Sequence, residues 1–176
     1  MRVHVVQGQH VVTDNPDTIL TTILGSCVAA CIRDPVAGVG GMNHFLLPGS
    51  HAPGAERAAQ RHGVHAMELL VNALLCAGAR RERLEAKLFG GARLIDGLTD
   101  IGSQNAEFAL RFLAAEGIAH IGGSLRGEHG RKVQFWPVSG RARQSLMERE
   151  SATVFDAEKR IRPATPPVEA GTVELF

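Results

Sequence analysis

The stretch Cys27-Val-Ala-Ala-Cys-Ile-Arg33-Asp34-Pro35, followed by Val36-Ala-Gly-Val-Gly-Gly-Met-Asn-His-Phe-Leu-Leu-Pro48, decides the fold. Its first half is an apolar run closed by the Asp-Pro turn signal, and its second half again reads as a strand. Together they predict an antiparallel hairpin over roughly residues 27 to 47. A turn near Pro35 to Ala37 places His44 opposite position 28 or 29, close to Cys27. Alternation along the first strand puts Cys27 and Cys31 on one face.

Working outward, Gly25-Ser26 interrupts the β-prone segment Thr18 to Leu24 just before Cys27, a sharp break in the chain. Asn15-Pro16-Asp17 reads as a turn, and Val3 to Val6 and Val11 to Thr13, flanking Gly8, as a first pair of strands. Residues 49 to 61 have the Gly, Pro, Ala, Arg and His content of a surface loop. From Val64 the spacing becomes helical, with Val64, Met67, Leu70, Val71, Leu74 and Leu75 on one face and Gly78 as a stop. Leu84 to Phe89 predicts a strand, and Gly90-Gly91 a tight turn. Ser103 is expected to cap a second helix that buries Ala106, Ala109, Leu110 and Leu113 and ends at Gly117. Ile118 to Ile121, Lys132 to Val138 and Ala142 to Met147 supply closing strands.

These elements predict an α+β protein: one layered α/β sandwich domain over residues 1–148, with two main amphipathic helices against about seven mostly antiparallel strands. After Glu148 the periodicity ends, and residues 149–176 are expected to form a poorly ordered tail. The 176 residues are 44% hydrophobic and 21% charged, the composition of an ordinary globular chain. Nineteen Lys and Arg against 18 Asp and Glu leave a net charge of +1, which argues against nucleic acid as a partner. The N-terminus lacks the apolar stretch of a signal peptide, and no apolar run reaches the length of a membrane span. A cytoplasmic monomer without membrane insertion is expected. Three cysteines, Cys27, Cys31 and Cys76, are too few and too odd in number for a disulfide framework and read as reduced thiols.

Among polar residues, Gly25-Ser26-Cys27 and Asn43-His44 are the hardest to explain as packing. They sit on the two arms of the hairpin. A cysteine after a Gly-Ser break stands where backbone N–H groups can turn toward its sulfur, and an imidazole across the hairpin can lower its pKa by forming a thiolate–imidazolium pair. Such a thiolate attacks an acyl carbon. Backbone donors around Gly25, Ser26 and Val28 would stabilise the oxyanion, and His44 would protonate the leaving group and then activate water. A third polar group should orient the imidazole, and both Thr21 and Thr22 lie within reach on the preceding strand. Cys31 and Cys76 read as packing residues. Cys27, Cys31 and His44 do not form a metal site, because Cys-x2-Cys pairs and a fourth ligand are missing. No cofactor is implied. The other histidines adjoin loops and read as surface residues.

The blocks Thr21-Thr-Ile-Leu-Gly-Ser-Cys27-Val-Ala-Ala-Cys-Ile-Arg-Asp-Pro35 and Gly38-Val-Gly-Gly-Met-Asn-His44-Phe-Leu-Leu-Pro48 resemble the signature of the CheD family of bacterial chemotaxis deamidases. Lys87-Leu-Phe-Gly-Gly-Ala92, Ile101-Gly-Ser-Gln-Asn105, Gly130-Arg-Lys-Val-Gln-Phe135 and Ser139-Gly140 are similar to that family's later blocks, so the resemblance spans about residues 3 to 147. It implies hydrolysis of glutamine side-chain amides in methyl-accepting chemoreceptors, through Cys27 as nucleophile, His44 as base and acid, and Thr21 as the third catalytic residue. It also implies a layered α/β sandwich and a CheC-type phosphatase as partner. One block departs from the pattern: where the family commonly has Asp-x-Gly-Gly, this chain has Ser124-Leu-Arg-Gly127. The same thioester chemistry would also cleave glutamate methyl esters. The competing readings are a non-catalytic chemotaxis adaptor that binds receptor or phosphatase, and an unrelated cysteine hydrolase of small amides.

Overall fold

The computed structural model describes residues 1–49, 53–94 and 100–147. The expected tail at 149–176 and the boundary at 148 lie outside the described residues. In chain order the strands are β1 (Arg2–His4), β2 (His10–Thr13), β3 (Ile19–Leu24), β4 (Val28–Asp34), β5 (Val39–Asn43), β6 (Glu85–Gly90), β7 (Ala119–Leu125), β8 (Arg131–Trp136) and β9 (Arg141–Leu146). The helices are α1 (Ala55–Cys76) and α2 (Ile101–Ala115).

The strands make two sheets, ordered β1-β3-β8-β9 and β2-β5-β4-β6-β7. Only β1 with β3 and β6 with β7 pair in parallel. The alternation of β4 shows the layering. Ala29 and Cys31 face a core shared with Leu20, Leu24, Val133 and Phe135 of the first sheet. Val28, Ala30 and Ile32 face a second core with Met67, Leu70, Leu74, Phe108 and Leu113 of the two helices. The expected α+β sandwich is therefore built as sheet, sheet and helix layer, with the second sheet apolar on both faces.

The hairpin has the expected register. Cys31 pairs with Met42 and Val28 bridges Phe45, which sets His44 opposite Ala29. Its turn is fixed by Asp34, which is buried and whose Oδ1 accepts the N–H groups of Val36 and Ala37 at 2.8 and 3.0 Å. Burial alone would raise the Asp34 pKa, but the Arg83 guanidinium and the backbone donors of Ala37, Arg80 and Val36 outweigh it and hold the carboxyl well below the usual range.

Four expectations are corrected. The two N-terminal strands do not pair with each other: β1 joins β3 in the first sheet and β2 joins β5 in the second. Helix α1 begins at Ala55, inside the expected loop, because Ala55, Glu56, Ala58 and Ala59 are good helix formers and Glu56 complements the helix dipole. On α1 the buried stripe is Gly63, Met67, Leu70, Val71 and Leu74, and Val64 is exposed. Gly63 is required there, since a Cβ would lie 2.6 Å from the Leu47 side chain and 2.7 Å from the Phe108 ring. On α2 the cap is Asp100, not Ser103: the Asp100 Oδ1 accepts from the Ser103 N–H at 2.9 Å.

Candidate active site

Gly25 and Ser26 are the point at which the chain leaves β3 in one sheet and enters β4 in the other. That crossing accounts for the sequence break and delivers Cys27 to the seam between the sheets, where it is 8% exposed and packs in the inter-sheet core. The three carbonyls of the crossing are each held from one side. The Gly25 carbonyl accepts from Ala92 N–H at 2.9 Å, that of Ser26 from Asn105 Nδ2 at 2.8 Å, and that of Cys27 from Gly91 N–H at 2.8 Å. In a trans peptide the N–H points opposite to the carbonyl it adjoins, so the Ser26 N–H is turned away from Ala92 and the Cys27 N–H away from Asn105.

Gly90 and Gly91 thus do more than turn the chain. At Gly90, with φ +111°, a Cβ would sit 2.1 Å from the Cys27 carbonyl oxygen, and at Gly91, with φ +68°, 2.7 Å from that of Gly102. Only glycines let this loop and α2 press against the crossing. Asn105 is fully buried and binds both arms of the site, since its Oδ1 also accepts from the Leu47 N–H at 3.0 Å. A polar residue next to Ala106 on the buried stripe of α2 was the available sequence signal for it.

His44 is 1% exposed. Its neighbour Asn43 replaces a ladder bond: the Asn43 side-chain oxygen, in place of a backbone carbonyl, accepts the Ala30 N–H at 3.0 Å, while Nδ2 reaches the Ala66 carbonyl on α1. With Asn43 turned to the helices, alternation turns His44 to the seam, on the face that carries Cys27 and Ala29. Cys27 and His44 are therefore diagonal neighbours across the hairpin.

The imidazole is oriented by Thr22. Its Oγ1 lies 2.9 Å from His44 Nδ1 and donates to the Val5 carbonyl at 2.8 Å. A hydroxyl has one proton, so Oγ1 can only accept from Nδ1, and the Val5 carbonyl, 3.4 Å from Nδ1, can only accept as well. Nδ1 carries the hydrogen and Nε2 the lone pair. Nε2 is buried and has no hydrogen-bond partner among the described residues. Burial pushes the imidazole pKa down to about 4, with His4 adding to the fall and the Val5 hydrogen bond opposing it. Burial thus favours the neutral ring.

Thr21 is not brought to His44. It faces the other side of β3, half-buried, with Oγ1 3.4 Å from the Val3 carbonyl and 3.5 Å from His4 Nδ1. Thr22, by contrast, points inward with Leu20 and Leu24. Of the three oxyanion candidates, Val28 drops out, because its N–H is committed to the Phe45 carbonyl at 3.0 Å. Gly25 and Ser26 stay at the crossing. Cys31 is buried, and that burial pushes its thiol far above the ordinary range, whereas Cys76 is exposed at the end of α1 rather than packed. Among the described residues no three His, Cys, Asp or Glu side chains gather as a metal site. The segment Ser124-Leu-Arg-Gly127 is held by buried Arg131, whose guanidinium donates to Ser124 Oγ at 2.9 Å and to the Ser124 and Arg126 carbonyls.

The family model described as CheD chemotactic sensory transduction matches residues 46–145, more than half of the chain and beginning after His44. The chain is similar to "Probable chemoreceptor glutamine deamidase CheD" of Acidiphilium cryptum (strain JF-5), at 62% identity with 99% of this chain and 93% of the relative covered. A protein of the same name from Rhizobium leguminosarum bv. trifolii (strain WSM2304) is 57% identical, with coverages of 99% and 96%. Among solved structures, Bacillus licheniformis YfiH matches with a TM-score of 0.43 at 14% identity, over 65% of this chain and 49% of that one, too slight a likeness to build on.

Proposed function

This chain belongs to the CheD family, and from that premise we propose that it is a cysteine-dependent protein-glutamine deamidase acting on chemoreceptors, as the names of its relatives indicate for them. The observation that supports the reading best is the buried His44 ring, tied through Nδ1 to Thr22 and leaving an unpartnered basic Nε2 on the face that carries Cys27. In this mechanism Nε2 takes the thiol proton as the Cys27 sulfur adds to the amide carbon of a substrate glutamine. In this mechanism the backbone N–H groups of the crossing, that of Ser26 among them, serve as donors to the oxyanion. The imidazolium returns its proton to the departing nitrogen, and ammonia leaves a glutamyl thioester on Cys27. Water, deprotonated by Nε2, then releases glutamate and the thiol. Thr22 is the positioning residue that holds the ring and its tautomer through both halves.

The same route would hydrolyse a glutamate methyl ester, which gives the same thioester and loses methanol. In this reading the protein works as a cytoplasmic monomer, able to engage a CheC-type phosphatase. Among the described residues, no helix is long and apolar enough to cross a membrane. The test is a receptor fragment carrying methylation-site glutamines, incubated with the protein and read by peptide mass and ammonia release. Amide-to-acid conversion by the native chain and none by Cys27→Ala is the expected result. Binding of the fragment without conversion would favour the adaptor reading.

A further inference from the structure

The segment between β1 and β2 is built onto His44. The Gly8 N–H donates to the His44 carbonyl at 2.8 Å, the His44 N–H to the Gln9 carbonyl at 3.1 Å, and the Gln9 N–H closes a turn on the Val6 carbonyl at 3.0 Å. Val5 is fully buried at the base of this turn, and its carbonyl takes the Thr22 hydroxyl. Gly8, at φ +85°, supplies the left-handed residue that the turn needs. The turn therefore has a fixed position relative to the imidazole. Gln7 is at its tip, exposed, and reaches back over the nucleophile: the Cys27 thiol donates to Gln7 Oε1 at 3.5 Å.

The group at that spot is a glutamine side-chain amide, the functional group on which the proposed reaction works. We infer that Gln7 is a resident occupant of the substrate-amide subsite, which an incoming glutamine must displace. The inference rests on the deamidase reading of the site. The pose is one of occupancy and not of attack. A thiol that donates to the carbonyl oxygen lies at the oxygen end of the group, whereas the reaction needs sulfur over the carbon and the oxygen on backbone donors. Displacement is easy, because one weak sulfur hydrogen bond is lost and the freed side chain is already at the surface. Gln7 thereby screens Cys27 from small electrophiles and favours substrates that bring enough contact of their own to compete.

The test uses the full-length chain in a Cys76→Ser background, so that the exposed second thiol does not label. Iodoacetamide, itself a small primary amide, is the probe, with Cys27 modification followed by peptide mass. Gln7→Ala should alkylate faster than the parent by about two- to ten-fold, the range that loss of one neutral hydrogen bond spans. Gln7→Glu, which keeps an acceptor at the same reach, should remain near the parental rate or below it. With the receptor fragment, Gln7→Ala should lower KM by a similar factor. Unchanged alkylation in Gln7→Ala would overturn the inference, and so would a fall in kcat at constant KM, which would make Gln7 part of the machinery. The alkylation rates report occupancy whether or not the fragment is deamidated, so failure of the deamidase reading shows separately as an unconverted fragment.

Discussion

Replacing Thr22 by valine keeps the shape of the side chain and removes one oxygen. Two hydrogen bonds go with it, to His44 Nδ1 at 2.9 Å and to the Val5 carbonyl at 2.8 Å. The two groups left behind are complementary, since Nδ1–H can close on the Val5 carbonyl from its present 3.4 Å. The stability loss is therefore modest, about 1–2 kcal/mol. That closure swings the ring, however, and nothing then holds Nε2 in its present orientation. A misdirected base in a buried site forfeits about 1.5–3 kcal/mol of transition-state stabilisation, or about ten- to a hundred-fold in kcat. Thr21→Val is the matched control, because that hydroxyl is half-buried and makes only long contacts of 3.4 and 3.5 Å away from His44. It should cost less than about 0.5 kcal/mol and leave kcat within about two-fold. Ammonia release from the receptor fragment, alongside thermal melts of both variants, measures the contrast. Loss of activity in Thr21→Val with Thr22→Val intact would refute the assignment of the orienting role.

Three further outcomes follow from the same geometry. His44 titrates at about 4 in the folded protein against an ordinary 6.5, so the unfolded chain binds the extra proton between those values. Folding stability should then be complete above about pH 6.5 and fall by about 3 kcal/mol as the pH drops to about 4, with His44→Gln abolishing that slope. For the same reason the acid limb of kcat/KM should lie near 4 and not near 6.5. Gly90→Ala introduces a Cβ 2.1 Å from the Cys27 carbonyl at a φ of +111°. Denaturant unfolding should show a loss of about 2–5 kcal/mol, with activity falling further than the unfolded fraction explains, because the backbone that moves is that of Cys27.

Much of the site could be read from local sequence, since it depends on a hairpin. The Asp34-Pro35 turn and the strand lengths on either side were enough to place His44 opposite position 28 or 29, close to Cys27, and the Gly25-Ser26 break marked a real change of sheet. The choice between Thr21 and Thr22 was not legible, for a definite reason. Ile19, Thr21 and Ile23 are as apolar as Leu20, Thr22 and Leu24, so period-two alternation does not say which set of β3 faces inward. The resemblance implied Thr21, and the packing of Leu20 and Leu24 in the inter-sheet core puts Thr22 there instead. Asn105 and the Gly90-Gly91 loop act on Cys27 from some 60 to 80 residues away along the chain, a relation that only tertiary packing creates. The start of α1 was hidden because Ala, Arg and Gln suit a solvated helix as well as a loop, and the segment buries too little to show a period.

Cys27 acts as the nucleophile in the proposed mechanism, and peptide mass of the receptor fragment after incubation with Cys27→Ala measures this most directly. Parallel melts establish that the variant is folded. The mechanism predicts no conversion of any glutamine while the native chain converts its sites. Conversion by Cys27→Ala at the native rate would contradict it.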